Sequence, residues 1–345
     1  MDVRQLEYFL AVVEHGGVNR AAAALRVAQP SLSQAVRKLE KDLRTELFHR
    51  VGRGLVLAPA GEALVGPARQ ILRDISSARQ AVHEVRDVER GRIDIASLSD
   101  ISTDPLSVWV AHFRVKNPNV TLRVDERDHV SDVLELVKSG ACELGVTTLP
   151  VPHDGLTDEF LVTQQFLLLL PPGTEGELPP VVPLRSMAGI PLVMGERNTP
   201  TRDYIEGMLR ENGVAPHIAV EVPQRGAVVP MVLSGAGAAI VSLRVAMEAH
   251  QRGAVVREVD PPLQRRIGMV HRSGRLTNAA AAFLAETKAD LASWNRSFDR
   301  RTASGLSRIE AAGQVMAAME KRQLDRFKAR SPIAVEETGG DDLDS

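Results

Sequence analysis

Asn19–Leu43 reads NRAAAALRVAQPSLSQAVRKLEKDL, and the fold turns on this stretch. Leu32, Val36, Leu39 and Leu43 recur at the helical period, which predicts an amphipathic helix with an unmixed apolar stripe. Its opposite face carries Pro30, Ser33, Gln34, Arg37, Lys38 and Lys41, without one carboxylate. Such a helix has the chemistry to enter a DNA major groove. Arg and Lys meet phosphate and guanine, Gln meets adenine, and Ser lets the backbone approach. Upstream, the alanine run 21–24 lets a second helix cross closely, with Asn19 expected as its N-cap. Pro30 suits the first turn of the later helix, where its missing N–H costs nothing. On the stripe alone, an ordinary solvated helix pair remains the simpler explanation.

The flanks change that balance. Leu6, Phe9, Leu10 and Val13 form another helical stripe and complete a three-helix core. Downstream, LFHRVGRGLVLAPAG alternates and turns at Gly52–Gly54, a hairpin with Arg50 and Arg53 near its tip. That hairpin is a wing, suited to backbone contacts beside the groove. The chain's net charge of −2 hides a local basic surface, since residues 1–58 carry nine Lys/Arg against six Asp/Glu.

With 345 residues, 44% hydrophobic and 25% charged, the chain is expected to form two or three soluble globular domains. No stretch approaches the roughly 20 apolar residues of a membrane span. The start, MDVRQLEYFL, enters an amphipathic helix directly and lacks a signal-peptide pattern. A single cysteine cannot form an internal disulfide, which points to a reducing cytoplasm.

From Pro59 to about Val88 one long helix is expected, with Leu64, Ala68, Ile71/Leu72, Ile75, Ala78, Val82 and Val85 along a seam. Alone it would be unstable, so it pairs with a copy of itself or packs on its own chain. After Gly91 strands and helices alternate, as in a parallel α/β sheet. Strands are expected at Arg92–Ser97, Val120–Asp125, Cys142–Thr147 and Gln165–Leu170, with helices at Pro105–Val115 and Val130–Ser139. The chain returns through a strand at Arg266–His271 to a helix at Asn278–Ser293. Leu306, Ile309, Ala312, Met316 and Met319 then predict one more amphipathic helix, opposite Glu310, Gln314 and Lys321. Pro332 ends it, and the acidic stretch from Glu336 to Ser345 is expected to be disordered.

Ligands of α/β sheets sit beyond the carboxyl ends of strands, where helix N-termini offer N–H donors. Three such ends carry hydroxyls: Ser97 and Ser99, Thr147 and Thr148, Thr199 and Thr201. Arg202 favours an anionic ligand there, while Asp100 and Asp104 oppose it. The competing explanation is that these hydroxyls are helix caps. No histidine spacing matches a metal site, and no GxSxG or GxxxxGK[ST] occurs. Gly235–Gly237 reads as a chain turn.

Taken together, RQLEYFLAVVEHGG, the Asn19–Leu43 stretch and LFHRVGRGLVLAPAGEAL resemble the LysR-type transcriptional regulators, with weaker similarity to about Asn295. The resemblance implies a winged helix-turn-helix over 1–58 and a linker and dimerisation helix over 59–90. A two-lobed effector domain of periplasmic-binding-protein type follows, with 91–162 and 268–295 as one lobe and 163–267 as the other. Residues 296–345 form an extension beyond the usual family end. The DNA-contacting set is Gln29, Pro30, Ser31, Ser33, Gln34, Arg37, Lys38, Arg50 and Arg53. The effector set is Ser97, Ser99, Asp100, Thr147, Thr148, Thr199, Thr201 and Arg202. Implied partners are double-stranded DNA, a small-molecule effector and a second or fourth copy, with RNA polymerase as a further one. No cofactor, metal or catalytic residue is expected.

Two positions depart from the family pattern. Gln34 stands where a basic residue is common, and Ala58 where Thr usually caps the long helix, a loss of about 1 kcal/mol. Some relatives sense peroxide through cysteine, but Cys142 has no resolving partner and sits in apolar sequence, so a buried structural thiol is expected. Two rival readings are a two-lobed solute-binding or enzymatic protein with a vestigial head, and an effector-independent repressor.

Overall fold

The apolar stripes along the first 58 residues converge in one small core. The computed structural model describes residues 1–51, 54–82 and 91–330. Helices α1 (Val3–His15), α2 (Val18–Ala24) and α3 (Gln29–Leu43) bury Leu6, Phe9, Val12, Ala21, Leu32, Val36 and Leu39 against one another. Strands β1 (Phe48–Val51) and β2 (Gly54–Leu57) form the antiparallel wing, and Phe48 lays its ring 5.5 Å from that of Phe9. A capping box starts α1: the Gln5 N–H donates to Asp2 Oδ1 at 2.9 Å, and the Asp2 N–H donates to Gln5 Oε1 at 2.8 Å.

Two local expectations are corrected. Asn19 lies inside α2, whose N-cap is Gly17, because the helix begins one residue before Asn19. Leu43 is 36% exposed, because α3 ends there and Arg44 turns the chain with a left-handed φ of 56°.

Helix α4 (Pro59–Val82) leaves the wing at Ala58. Ala58 is buried, donates its N–H to the Leu47 carbonyl at 2.9 Å and accepts from the Glu62 N–H at 2.9 Å. A close approach follows at Gly61, where an added Cβ would stand 2.1 Å from the Leu47 carbonyl oxygen. Gly61→Ala gains at most about 1 kcal/mol of helix propensity but forces backbone apart, an overpacking cost of about 1–3 kcal/mol. The variant is expected to melt at a lower temperature than the parent in a thermal scan. The α4 seam through Leu64, Ala68, Ile71 and Leu72 packs on α1 of the same chain. Farther along, Arg73 donates to the Gly140 carbonyl at 2.6 Å, tying α4 to the next domain. Expectations for residues 83–90 lie outside the described residues.

That domain alternates as expected through β3 (Gly91–Leu98), α5 (Ser99–Ile101), α6 (Ser107–Lys116), β4 (Val120–Arg127), α7 (Val130–Lys138) and β5 (Leu144–Leu149). The helix expected from Pro105 starts at Ser107, because Asp104 precedes a proline and takes an extended conformation (φ −152°, ψ 117°). Strand β6 (Leu156–Leu170) is much longer than the apolar stretch Gln165–Leu170 that marks its second half.

The second lobe comprises β7 (Val181–Pro183), β8 (Pro191–Gly195), α8 (Pro200–Glu211), β9 (His217–Val222), α9 (Val228–Leu233), β10 (Ala239–Ser242), α10 (Leu243–Gln251) and β11 (Val255–Asp260). Strand β12 (Gln264–Arg272) returns to the first lobe and leads into α11 (Asn278–Ala303) and α12 (Arg308–Arg330). The eight-stranded sheet runs β4-β3-β5-β12-β6-β11-β7, with β10 also on β6 and a separate parallel pair β8-β9. Strand β6 pairs with β12 through its first half and with β10 and β11 through its second. It is therefore one of the connections on which the two lobes are hung. Ile93, Ile95, Leu106, Phe113, Val146 and Phe283 fill the first lobe. Phe166, Leu168, Leu192, Ile205 and Leu209 fill the second.

The extension packs on its own chain. Ala311, Ala312 and Val315 of α12 are buried, Ile309 joins the second lobe's core, and Gln323 donates to the Ala111 carbonyl at 2.7 Å. The acidic tail from Glu336 lies outside the described residues.

Candidate functional site

Helix α3 presents its polar face to solvent, and the side chains of Ser31, Ser33, Gln34 and Arg37 make no hydrogen bond among the described residues. Gln29, Pro30, Ser31, Gln34, Arg37 and Lys38 are exposed and Ser33 is half-buried. The helix's two carboxylates are directed elsewhere. Glu40 accepts from the Leu47 N–H at 2.9 Å, which anchors the wing, and Asp42 pairs with the N-terminal ammonium at 2.7 Å. That pairing, reinforced by Lys38, holds the Asp42 carboxyl below its ordinary range. Arg37 has no hydrogen-bond or ion-pair partner among the described residues, so its guanidinium is available to an external acceptor. Arg50 lies in β1 opposite Leu55. Its side chain and the whole of Arg53 fall outside the described residues.

Between the lobes, Asp100 of α5 reaches beyond the end of β3 to the second lobe. Its Oδ2 accepts from Thr201 Oγ1 at the start of α8 and from Arg265 Nη2 of β12. Its Oδ1 faces Arg225 Nη1 at 3.4 Å. Arg265 also donates to Gln164 Oε1 at 2.8 Å, and Gln164 donates to the Asp104 carbonyl at 2.9 Å. Ser242 donates to the Asp104 carboxylate, so a second acidic side chain is locked beside the first. Burial pushes the Arg265 and Arg225 guanidiniums down to about 10, with the charge of Arg265 adding to the effect on Arg225. Both stay protonated at neutral pH. The result is a carboxylate from one lobe enclosed by two guanidiniums and a hydroxyl.

Of the hydroxyls marked in the sequence, the structure brings only Thr201 to Asp100. Thr147 is buried with its hydroxyl unpartnered among the described residues. Ser97 donates to the Leu98 carbonyl at 3.1 Å, and Ser99 turns to the Asp128 carboxylate at 2.7 Å, past the end of β4. Thr148 is half-buried in β5 opposite Ile267. Thr199 donates to the Glu196 carbonyl at 3.0 Å. Arg202 is corrected as a ligand group: it is buried within its own lobe, held by Glu206 and by the Gly195 carbonyl at 2.6 Å. Sequence reading missed Arg225, Arg265, Gln164 and Ser242. One signal for Arg265 was present, since strand alternation places it on the same face as buried Ile267 and Met269.

Cys142 is buried, and desolvation, with Asp94 and Asp125 nearby, pushes its thiol up to about 12. That environment opposes thiolate formation. Because the folded state raises this pKa from 9.0, the thiol favours folding fully below pH 9. The contribution is lost as pH climbs from 9 towards 12, where the unfolded chain releases the proton first. Native protein is expected to resist iodoacetamide at pH 8, while urea-unfolded protein is alkylated readily, as mass spectrometry would show.

The winged three-helix head, its uncommitted cationic helix and the two-lobed sensor domain together define a ligand-responsive DNA-binding protein. Residues 3–62 match the bacterial regulatory helix-turn-helix protein model of the lysR family, and residues 86–292 match the LysR substrate binding domain. The chain belongs to the LysR family, and it is a DNA-binding transcriptional regulator with an effector-binding domain. It is 28% identical over 286 residues to the RuBisCO operon transcriptional regulator of Allochromatium vinosum, covering 82% of this chain and 94% of that one. Among solved structures it resembles a full-length OxyR variant from Pseudomonas aeruginosa, with a TM-score of 0.67, 20% identity, and coverage of 84% and 94%. CbnR complexed with its target DNA shares the fold at a TM-score of 0.50 and 23% identity, covering 85% of this chain and 100% of that one. The family is made up of transcriptional regulators. No described helix is long and apolar enough to cross a membrane.

Proposed function

We propose that this regulator is a cytoplasmic, non-enzymatic homo-oligomer that reads operator DNA through α3 and the wing and answers to an anionic effector in the cleft. In this reading Gln29, Ser33, Gln34 and Arg37 meet base edges, Pro30 makes apolar contact, and Ser31, Lys38, Arg50 and Arg53 meet phosphates. Support comes from the exposed, unengaged donors on α3. Self-association through the later half of α4 is supported by the 3–4 apolar spacing that continues past Leu72. Two copies present two recognition helices to two half-sites.

The observation that carries the effector reading is Asp100 held by Arg265, Arg225 and Thr201. Asp100 acts as a tethered anion that keeps the lobes together, and an effector carboxylate competes with it for the same donors. Competition of this kind changes the lobe arrangement only to the extent that the effector prefers one arrangement. The test is thermal unfolding of the full chain with a panel of small mono- and dicarboxylates. An active effector at a hundred times its Kd adds about 2.7 kcal/mol, and Thr201→Val is expected to weaken that response. Were no carboxylate to raise the melting temperature, Asp100 would be a permanent latch and the effector-independent reading would stand.

A further inference from the structure

Helix α12 runs past the point at which the chain crosses between lobes. Strand β6 pairs with β12 up to Gln165 and with β10 from Phe166 onward, so the crossing falls between these two residues. Arg308, the first residue of α12, donates to Gln165 Oε1 at 3.3 Å, and its guanidinium lies 5.5 Å from the centre of the Phe298 ring on α11. Gln164, one residue earlier, bonds instead to Arg265. Successive strand side chains point to opposite faces, so Arg308 and Arg265 approach β6 from opposite faces.

From there the helix engages both lobes. Ile309 joins the second lobe's core, and Glu320 faces Arg244 of α10 at 3.9 Å. Between them Ala311, Ala312 and Val315 are buried, so the first half of the helix is packed. On the first lobe, Gln323 donates to the Ala111 carbonyl of α6 at 2.7 Å. Arg244 also faces the first lobe's Asp104 at 3.7 Å, and Asp104 accepts from Ser242 of β10, so the helix meets the lobes where they grip each other. Ile309 and Gln323 lie about 21 Å apart along the helix, whose backbone hydrogen bonds fix the rise at about 1.5 Å per residue. A rod of fixed length tied to both lobes resists rotation of one against the other.

We propose that α12 is an intramolecular brace that fixes the angle between the lobes, so that the cleft opens only when one end of the helix lets go. The Gln323 end is the weaker anchor. It rests on one hydrogen bond and an exposed ion pair, whereas the Ile309 end enters a core. The extension thereby sets how readily the cleft admits solvent or a ligand. It does so from outside the cleft, since Asp100, Thr201, Arg225 and Arg265 make no hydrogen bond or ion pair to α12 among the described residues.

Phenylglyoxal modification of the full chain, mapped by mass spectrometry, reads lobe opening at Arg265. Its side chain is 5% exposed and becomes reachable when the lobes part, whereas exposed Arg266 reacts in any state and serves as the internal standard. Gln323→Ala and Ile309→Ala, at the two ends of the brace, are each expected to raise the Arg265 rate about two- to tenfold. The Arg266 rate should stay unchanged. Melting curves check that both chains fold, and Ile309→Val takes the place of the alanine variant if it does not. Lys321→Ala, exposed on the same helix with no bond to either lobe among the described residues, should keep the parent rate. So should Gly61→Ala, which crowds Leu47 and Leu57 of the head and leaves α12 alone. The proposal is overturned if Arg265 reacts at the parent rate in either end variant, or if Lys321→Ala or Gly61→Ala accelerates it equally. No effector enters the measurement, so a cleft that binds none leaves these outcomes unchanged.

Discussion

Asp100→Ala is expected to lower the melting temperature of the full chain by several degrees, and millimolar formate or acetate is expected to restore part of the loss. Asp100 and Arg265 are 10% and 5% exposed at the side chain, and Arg225 is 29% exposed. Removing one partner of a buried ion pair strands the other, at a cost of about 3–5 kcal/mol. Because the site lies between lobes that water can enter on opening, the lower end of that range is expected. A free carboxylate refills the space left by the missing side chain and meets the same Arg265, Arg225 and Thr201 donors. Asp100→Asn separates charge from shape, since it retains an acceptor for Thr201 but removes the carboxylate that both guanidiniums face, leaving Asp104 as the remaining anion beside Arg265. It is expected to fall between the parent and Asp100→Ala. Thermal scans in chloride, formate and acetate at matched ionic strength check all three chains. An unchanged melting temperature for Asp100→Ala, or the same response to formate in every chain, would show that the cross-lobe contact does not hold the lobes.

Arg37→Ala is expected to weaken binding to the chain's own operator by about 1–3 kcal/mol, a factor of roughly 5 to 150. A scrambled fragment should be affected much less. The physical ground is that Arg37 is exposed on the face of α3 opposite Leu32, Val36 and Leu39, and nothing in the described chain engages its guanidinium. Lys38→Ala provides the contrast. As a phosphate contact it should weaken both fragments similarly and reduce the salt slope by about one. Fluorescence anisotropy with labelled fragments measures each loss. Equal loss on both fragments for Arg37→Ala would remove Arg37 from the base-reading set.

What was legible in the sequence is what depends on local period. The stripe of Leu32, Val36 and Leu39 marks α3 because a buried helix face must recur every three or four residues. The strand-end rule likewise brought Asp100 and Thr201 into view, since each follows a strand and opens a helix. Arg202 shows where adjacency misleads. Consecutive helix residues point about 100° apart, so a residue beside Thr201 faces away from Thr201's partner and meets Glu206 one turn on. Arg265 and Arg225 come from distant segments, and only the closed topology sets them around Asp100. Strand β6 was half legible for a related reason. Its apolar Gln165–Leu170 half lies within the second lobe, whereas the mixed stretch Leu156–Gln164, which carries Thr157, Asp158 and Glu159, is stabilised by its pairing with β12. The extension beyond Asn295 announced a helix by its period, but its anchoring on both lobes is tertiary information.

Specific DNA reading by this chain is tested by its affinity across a salt series. Genomic fragments captured by the full chain would be retitrated between about 50 and 200 mM salt against a scrambled fragment of equal length. A steep linear fall of log affinity with log salt is expected, about 10³–10⁵ overall for 6–10 phosphate contacts. At each salt concentration the captured fragment should bind at least about 10³-fold more tightly than the scrambled one. Equal affinity for the two fragments, or a flat salt series, would contradict it.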